Sequence, residues 1–187
     1  MGDLNQVKSV ISNVLEHFGR IDILVNCAGI QRRSPAVEFS ESDWDEVMQV
    51  NLKSAWILCQ QAGRIMVKQR SGKIINVASL NSFQGGINIP AYASAKGALA
   101  TLTRALANEW ARYNVNVNAI VPGYIATDMN KDLINDPDRS RQIFERIPAE
   151  RWGKPDDFKG TVVFLASDAS SFVHGHFLAV DGGWLGR

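Results

Sequence analysis

Cysteine and histidine are scarce in this chain of 187 residues, which contains two cysteines and three histidines. Cys27 and Cys59 suggest no disulfide framework, and with His17, His174 and His176 they show no metal-binding spacing. We therefore expect no bound metal. The low cysteine content favours a reducing compartment, and we expect a cytoplasmic location.

Long apolar runs and a strong net charge are also missing. No apolar stretch approaches the roughly 20 residues that cross a bilayer, and the N-terminus lacks the basic and apolar regions of a signal peptide. The formal net charge of +1 argues against a nucleic-acid partner. We expect no membrane partner and a single domain over residues 1–187, because neither repeat nor linker interrupts the chain.

Short apolar runs rich in β-branched residues have the character of buried parallel strands. They are Ile21–Val25, Gly72–Ser79 and Val115–Val121, with a last strand around Phe177–Val180. Segments of helical periodicity alternate with them, which predicts an α/β fold with a doubly wound parallel sheet. Ligands bind beyond the carboxyl ends of the strands in such sheets, so we expect the site there.

Apolar stripes predict four helices between and around these strands. The helices are expected at Asp3–Phe18, Glu41–Arg70, Tyr92–Tyr113 and Asp156–Ser167. The segments Gln31–Ser40 and Gly123–Arg139 are polar and predict loops, the second of them mobile in character.

Tyr92 and Lys96 form the pair with the clearest chemistry. At helical spacing, positions i and i+4 share one face, so the Lys96 ammonium should lie beside the Tyr92 phenol. A nearby cation lowers the pKa of a phenol, which would suit Tyr92 to proton transfer near neutral pH. Ser79 ends a predicted strand and should lie at the same edge. A non-catalytic alternative stays open, in which Tyr92 begins a helix and Lys96 is a solvated neighbour.

Five separated motifs resemble, in order and spacing, those of the short-chain dehydrogenases/reductases. The motifs are Asn26-Cys27-Ala28-Gly29, Asn51, Ser79, Tyr92-Ala93-Ser94-Ala95-Lys96 and Pro122-Gly123-Tyr124-Ile125-Ala126-Thr127, and the ending Val180-Asp181-Gly182-Gly183-Trp184 is also similar. Cys27 departs from the pattern, since the family more often has a second Asn there. Asn26–Gly29 and Pro122-Gly123 are also ordinary turn sequences.

The resemblance implies a role for each matched residue in hydride transfer between a secondary alcohol and a nicotinamide cofactor. Tyr92 would be the acid or base, Ser79 would orient the substrate oxygen, Lys96 would hold the nicotinamide ribose, and Asn51 would position a relay water. The implied catalytic residues are thus Ser79, Tyr92, Lys96 and Asn51. The implied cofactor contacts are Asp3, Asn26, Ala28, Gly29, Tyr92, Lys96, Pro122, Gly123 and Thr127.

One departure from the family is larger. The family opens with a strand and a glycine-rich turn that holds the cofactor pyrophosphate, whereas this sequence begins with Met1-Gly2-Asp3-Leu4, similar to the end of the family's third strand. We expect a Rossmann-like sheet that is N-terminally truncated, the C-terminal three-quarters of such an enzyme. The expected cofactor is NAD or NADP, with NAD favoured by the resemblance.

Four further segments resemble a subgroup of the family that acts on sugar acids such as 2-deoxy-D-gluconate. They are Gln31–Ser34, Glu38–Asp45, Ser82–Gly86 and Arg146–Gly153. Arginine binds carboxylates bidentately, so Arg32 or Arg33 is expected to bind the substrate carboxylate, while Ser79 binds the substrate oxygen that reacts. The alternative, that both arginines are loop surface, stays open.

The family's members assemble as tetramers through two long helices, here Glu41–Arg70 and Tyr92–Tyr113, so a homo-oligomer is expected. The strand Ile21–Val25 should form an unpaired apolar edge, which predicts instability or self-association of the chain alone. Two alternatives to the sugar-acid oxidoreductase stay open. One is an inactive truncated homologue that acts as an assembly partner, and the other is a reductase of another carbonyl such as a 3-oxoacyl group.

Overall fold

Four parallel strands form one sheet in the computed structural model, which describes residues 1–187. The strands are β1 (Ile23–Asn26), β2 (Gly72–Val77), β3 (Val115–Pro122) and β4 (Phe177–Val180), and they lie in chain order. The register pairs Ile23 with Lys73, Gly72 with Val115, and Ala119 with Phe177.

Seven α-helices connect and flank the strands. They are α1 (Leu4–Phe18), α2 (Glu41–Met48), α3 (Ser54–Gln69), α4 (Pro90–Trp110), α5 (Lys131–Asn135), α6 (Pro137–Arg146) and α7 (Lys159–Ala166). None of the helices combines the length and the apolar character that crossing a membrane requires.

Apolar side chains pack against both faces of the sheet. On one face, Ile74 and Val117 join the largest buried cluster, which includes residues of α1, α3 and α4. On the other face, Ile75 and Ile120 pack on Leu165 of α7. Successive residues of a strand point to opposite faces, so strands covered on both sides are mostly apolar, and buried polar residues such as Asn76 and Asn118 form hydrogen bonds. The predicted doubly wound α/β fold is confirmed.

Two helix predictions need correction. The segment Glu41–Arg70 is not one α-helix, because a π-helical turn at Gln49–Lys53 separates α2 from α3. The segment expected as a loop to Arg139 contains α5 and the start of α6. The signal for α6 is local: Pro137 occupies its first turn, and the Asp136 carboxylate accepts hydrogen bonds from the backbone N–H groups of Asp138 and Arg139.

Smaller corrections concern the ends of elements. The first helix begins at Leu4, the first strand spans Ile23–Asn26, and the last helix shortens to Lys159–Ala166 after a 3₁₀ turn at Pro155–Phe158. Capping explains the first of these. The Asp3 carboxylate accepts a hydrogen bond from the Asn5 backbone N–H at 2.8 Å, which makes Asp3 the residue that precedes the helix.

Candidate active site

A cleft of about 830 Å³ opens at the carboxyl ends of the strands. Residues that follow β1, β2 and β3 line it, among them Gly29, Ser79 and Gly123. The α4 residues Tyr92 and Lys96 and several residues of α5 and α6 complete the lining. This is the edge of the sheet at which parallel α/β folds bind their ligands.

Ser79, Tyr92 and Lys96 all line this cleft. Ser79 precedes a 3₁₀ turn and accepts a hydrogen bond from the Asn81 backbone N–H at 3.2 Å. Lys96 follows Tyr92 by one helical turn, and its Nζ lies 5.8 Å from the centroid of the Tyr92 ring. The Lys96 Nζ also donates to the Val77 carbonyl at 2.6 Å, which fixes the ammonium at the end of β2.

The electrostatics of Tyr92 differ from the sequence-based expectation. Burial raises the pKa of the Tyr92 phenol above its ordinary value, and the Ser79 hydroxyl and the Arg33 charge only partly offset that effect. The expected lowering of this pKa by Lys96 is therefore wrong for this structure. Burial acts on Lys96 as well: it lowers the pKa of the ammonium to about 8, against a smaller opposing effect of Cys27.

Asn51 lies in the π-helical turn and is almost fully buried. Its Oδ1 accepts a hydrogen bond from the Ile30 backbone N–H, and its Nδ2 donates to the Ile30 carbonyl, both at 2.8 Å. The side chain thus holds the loop that follows β1, and it does not line the cleft. Its proposed relay role stays a prediction.

Gly29 lies where the β1 loop approaches both Asn51 and Lys96. A Cβ atom at this position would lie 3.4 Å from Asn51 Oδ1 and 3.7 Å from Lys96 Nζ. A side chain larger than a methyl group would therefore enter the cleft beside the ammonium. Because Gly29 has no side chain, a ligand has room to lie against the backbone here.

The structure brings six of the expected cofactor residues together at the cleft and leaves three outside it. Gly29, Tyr92, Lys96, Pro122, Gly123 and Thr127 line the cleft. Asp3 caps α1 at the surface, and Ala28 is exposed outside the lining. Asn26 is buried, and its Nδ2 donates to Asn76 Oδ1 at 2.8 Å, so its side chain holds β1 to β2.

The two arginines after β1 have different surroundings. The Arg32 guanidinium forms an ion pair with Glu46 at 2.8 Å and lies 3.6 Å from Asp43, so nearby carboxylates balance its charge. Arg33 lines the cleft and takes part in no ion pair of the chain. Of the two, only Arg33 is placed to meet a ligand of this cleft.

Sequence reasoning missed the part of the lining that α6 and the C-terminus supply. Arg139, Gln142 and Arg146 of α6 and the indole of Trp184 line the cleft, as does Gln84. The cap at Asp136 and Pro137 was the available signal for α6. No pattern in the sequence connects Trp184 with a helix that ends 38 residues earlier at Arg146, because that contact is tertiary.

The lining is cationic as a whole. Its charged residues are Arg33, Lys96, Arg139 and Arg146, and none of its 34 residues is Asp or Glu. The structure also contains no group of three or more His, Cys, Asp or Glu side chains that could hold a metal ion. Such a cleft attracts anions, since the positive potential is strengthened between low-dielectric walls.

Known proteins match the chain over nearly all of its length. The family described as enoyl-(acyl carrier protein) reductase matches residues 1–185. The 2-dehydro-3-deoxy-D-gluconate 5-dehydrogenase of Dickeya dadantii (strain 3937) is 53% identical, and the alignment covers 100% of this chain and 74% of that protein. The enzyme of the same name from Bacillus subtilis (strain 168) is 54% identical over 99% of the chain and 74% of its own length.

A solved structure agrees with the sequence matches. The crystal structure of a gluconate 5-dehydrogenase from Burkholderia cenocepacia J2315, in complex with NADP and tartrate, superposes with a TM-score of 0.96 at 41% identity. The match covers 100% of this chain and 73% of that one. The chain belongs to the short-chain dehydrogenase/reductase family and is an oxidoreductase of that family.

The cleft residues fit the nicotinamide end of a dinucleotide cofactor. Gly29 leaves open space beside Lys96 Nζ, and the ammonium keeps further N–H donors after its bond to Val77. Lys96 would hold the ribose hydroxyls, and Pro122, Gly123 and Thr127 would line the remaining space.

Proposed function

We propose that the chain is an NAD(P)-dependent oxidoreductase that interconverts a secondary alcohol and a ketone of a sugar acid such as 2-deoxy-D-gluconate. One observation carries the proposal: Ser79, Tyr92 and Lys96 line a cleft whose only charged residues are cations. The named relatives support it, because they are dehydrogenases of gluconate or of 2-dehydro-3-deoxy-D-gluconate.

In this proposal the chain supplies proton transfer and orientation. The cofactor, when bound, accepts or supplies the hydride. In oxidation the Tyr92 phenolate takes the proton of the substrate alcohol and becomes the phenol, and in reduction the phenol gives its proton to the substrate oxygen and becomes the phenolate. The Ser79 hydroxyl donates a hydrogen bond to the substrate oxygen and orients it toward Tyr92. A raised pKa favours the protonated phenol, which suits Tyr92 to the role of acid in carbonyl reduction.

Arg33 is the residue that we propose for the substrate carboxylate. It lines the cleft and forms no ion pair within the chain. Its charge also acts to lower the pKa of the Tyr92 phenol, against the larger effect of burial. Arg32 is less suited to this role, because Glu46 and Asp43 already balance its charge. A guanidinium binds a carboxylate through two parallel hydrogen bonds, which fixes orientation as well as charge.

The remaining expectations about cofactor and assembly stay proposals. The family resemblance favours NAD, whereas the Burkholderia cenocepacia neighbour was solved with NADP. We also propose a homo-oligomer, which the family resemblance makes a tetramer. Partly exposed indoles on α2 and α3 support an interface there, since Trp44 and Trp56 are each 38% exposed. A cytoplasmic location stays a prediction. No observation favours the assembly-partner or the 3-oxoacyl alternative over the sugar acid.

The test is turnover of 2-deoxy-D-gluconate with NAD or NADP, for the chain and for Tyr92→Phe. Loss of the phenolic proton donor should lower kcat by about a hundredfold or more. Tyr113→Phe is the matched control, because Tyr113 lies outside the cleft lining. Wild-type turnover by Tyr92→Phe would contradict the proposed chemistry.

Titration of the same proteins with NADH and NADPH separates binding from chemistry. Quenching of the five tryptophans reports binding. We expect Tyr92→Phe to bind the reduced cofactor nearly as well as the wild type. A folded wild-type chain that binds neither cofactor would favour the assembly-partner alternative.

A further inference from the structure

Arg146 is the last residue of α6, and its guanidinium lies over the ring of an aromatic side chain of the cleft. Its Cζ is 4.0 Å from the centroid of the Trp184 indole. The other arginines of α6 have polar partners: Arg139 donates to Gln142 Oε1 at 2.8 Å, and Arg141 donates to Glu145 Oε1 at 3.2 Å. Arg146 is absent from all eight ion pairs of the chain.

The indole beneath Arg146 is itself fixed. Trp184 is only 4% exposed, and its ring centroid lies 4.7 Å from that of Tyr124. Its Nε1 donates to Gln84 Oε1 at 3.3 Å. Beyond it, Arg187 donates to the Glu145 carbonyl at 3.0 Å and so joins the C-terminus to α6. The stacked guanidinium has therefore lost part of its rotamer freedom before any ligand arrives.

A guanidinium over the face of a ring interacts with it through its charge, so its N–H donors stay available to a ligand. In this cleft no Asp or Glu competes for them. In a cleft without Asp or Glu, the planar N–H donors of a guanidinium suit a carboxylate ligand better than they suit a hydroxyl group. The reason is that a carboxylate accepts two parallel charge-assisted hydrogen bonds.

We propose that Arg146, presented by Trp184, is a specificity-determining residue that binds the carboxylate end of the substrate together with Arg33. Arg33 reaches the cleft from the loop after β1, and Arg146 reaches it from the end of α6. The inference rests on the proposed function, because it takes a sugar acid as the ligand.

The competing explanation is structural. A cation at the end of a helix interacts favourably with the helix dipole, and Arg146 covers the Trp184 ring. A purely structural role predicts that loss of Arg146 affects every ligand equally. Recognition of the carboxylate predicts that loss of Arg146 weakens the binding of the sugar acid alone.

The experiment titrates the full chain with gluconate and with glucitol, the neutral polyol of the same carbon skeleton, by calorimetry. The variants are Arg146→Gln, Arg146→Lys and Arg141→Gln. Arg141 is the matched control, because it lies on the same helix, is exposed and is outside the cleft lining. Loss of a charge-assisted contact should weaken gluconate binding by Arg146→Gln about tenfold or more and leave glucitol binding unchanged.

Arg146→Lys should recover part of the gluconate affinity, and Arg141→Gln should match the wild type for both ligands. Equal weakening for gluconate and glucitol, or no weakening in Arg146→Gln, would overturn the role of Arg146 while leaving the proposed function intact. A folded wild-type chain that binds neither gluconate nor 2-deoxy-D-gluconate would overturn the proposed function and this inference with it.

Discussion

At the scale of single residues, Lys96 is a charge held in a nearly closed part of the fold. The residue is 3% exposed, and burial lowers the pKa of its ammonium to about 8. The Val77 carbonyl is its one protein hydrogen-bond partner, so the charge is only partly compensated. An anionic ligand in the cleft would supply the missing compensation.

This lowered pKa predicts a pH dependence of stability. Below pH 8 both the folded and the unfolded chain carry the proton, and the full penalty of the buried charge is present. Between pH 8 and the ordinary value of 10.5 the folded state releases the proton first, so the free energy of unfolding rises with pH. We expect the wild type to gain thermal stability relative to Lys96→Met over this interval. The same dependence of melting temperature on pH in the two proteins would contradict this prediction.

Asn51 illustrates a side chain that acts through the backbone. It makes two hydrogen bonds to Ile30, and Asn51→Ala would leave both backbone groups without their partner. We expect a loss of about 2 kcal/mol in the free energy of unfolding, measured in urea. Asn108→Ala, on the exposed side of α4, should be close to neutral. Equal midpoints for the two variants would show that the Ile30 contacts contribute nothing.

At the scale of elements, α3 and α4 pack closely because one residue lacks a side chain. A Cβ atom on Gly63 of α3 would overlap the indole of Trp110 at the end of α4. The close approach explains a glycine in the interior of a helix, where glycine is otherwise unfavourable. Gly97 in α4 has no such neighbour, since nothing lies within 4 Å of its virtual Cβ.

The two glycines form a matched pair of predictions. Gly63→Ala should destabilise the chain by about 1–3 kcal/mol through overpacking against Trp110. Gly97→Ala should stabilise it by about 0.5–1 kcal/mol, because alanine restricts the unfolded backbone and favours the helix. Thermal melts of both variants test this. Similar shifts in the same direction would show that the packing against Trp110 is not tight.

At the scale of the whole molecule, the sheet ends in an apolar edge. β1 is the outer strand, and its residues Ile23 and Val25 are 47% and 41% exposed. An unpaired strand with exposed β-branched side chains favours pairing with another chain. The expected self-association of the chain therefore stays a prediction, now with a defined surface.

Ile23→Lys tests that surface. A lysine on the edge strand should oppose edge-to-edge pairing and shift the chain toward smaller species in light scattering after gel filtration. Val37→Lys is the control, because Val37 is 95% exposed, outside the sheet, and receives the same change in charge. An equal effect of both variants would attribute the change to net charge alone.

The sequence by itself determined the fold class, the family and the strand-end position of the site. Apolar runs must alternate with amphipathic segments to bury a parallel sheet, and the positions of Ser79 just after β2 and of Tyr92 and Lys96 on α4 follow from local spacing. Those relations are short in sequence, so pattern and motif carry them.

Only the tertiary structure decided which of two adjacent arginines faces the cleft and what surrounds the phenol. Arg32 forms an ion pair with Glu46 of α2, and Arg33 does not. This difference depends on how the loop after β1 lies against α2. The raised pKa of Tyr92 comes from burial, a property of the assembled cleft. The stack of Arg146 on Trp184 joins α6 to the C-terminus, and only the packing of distant segments could bring that pair together.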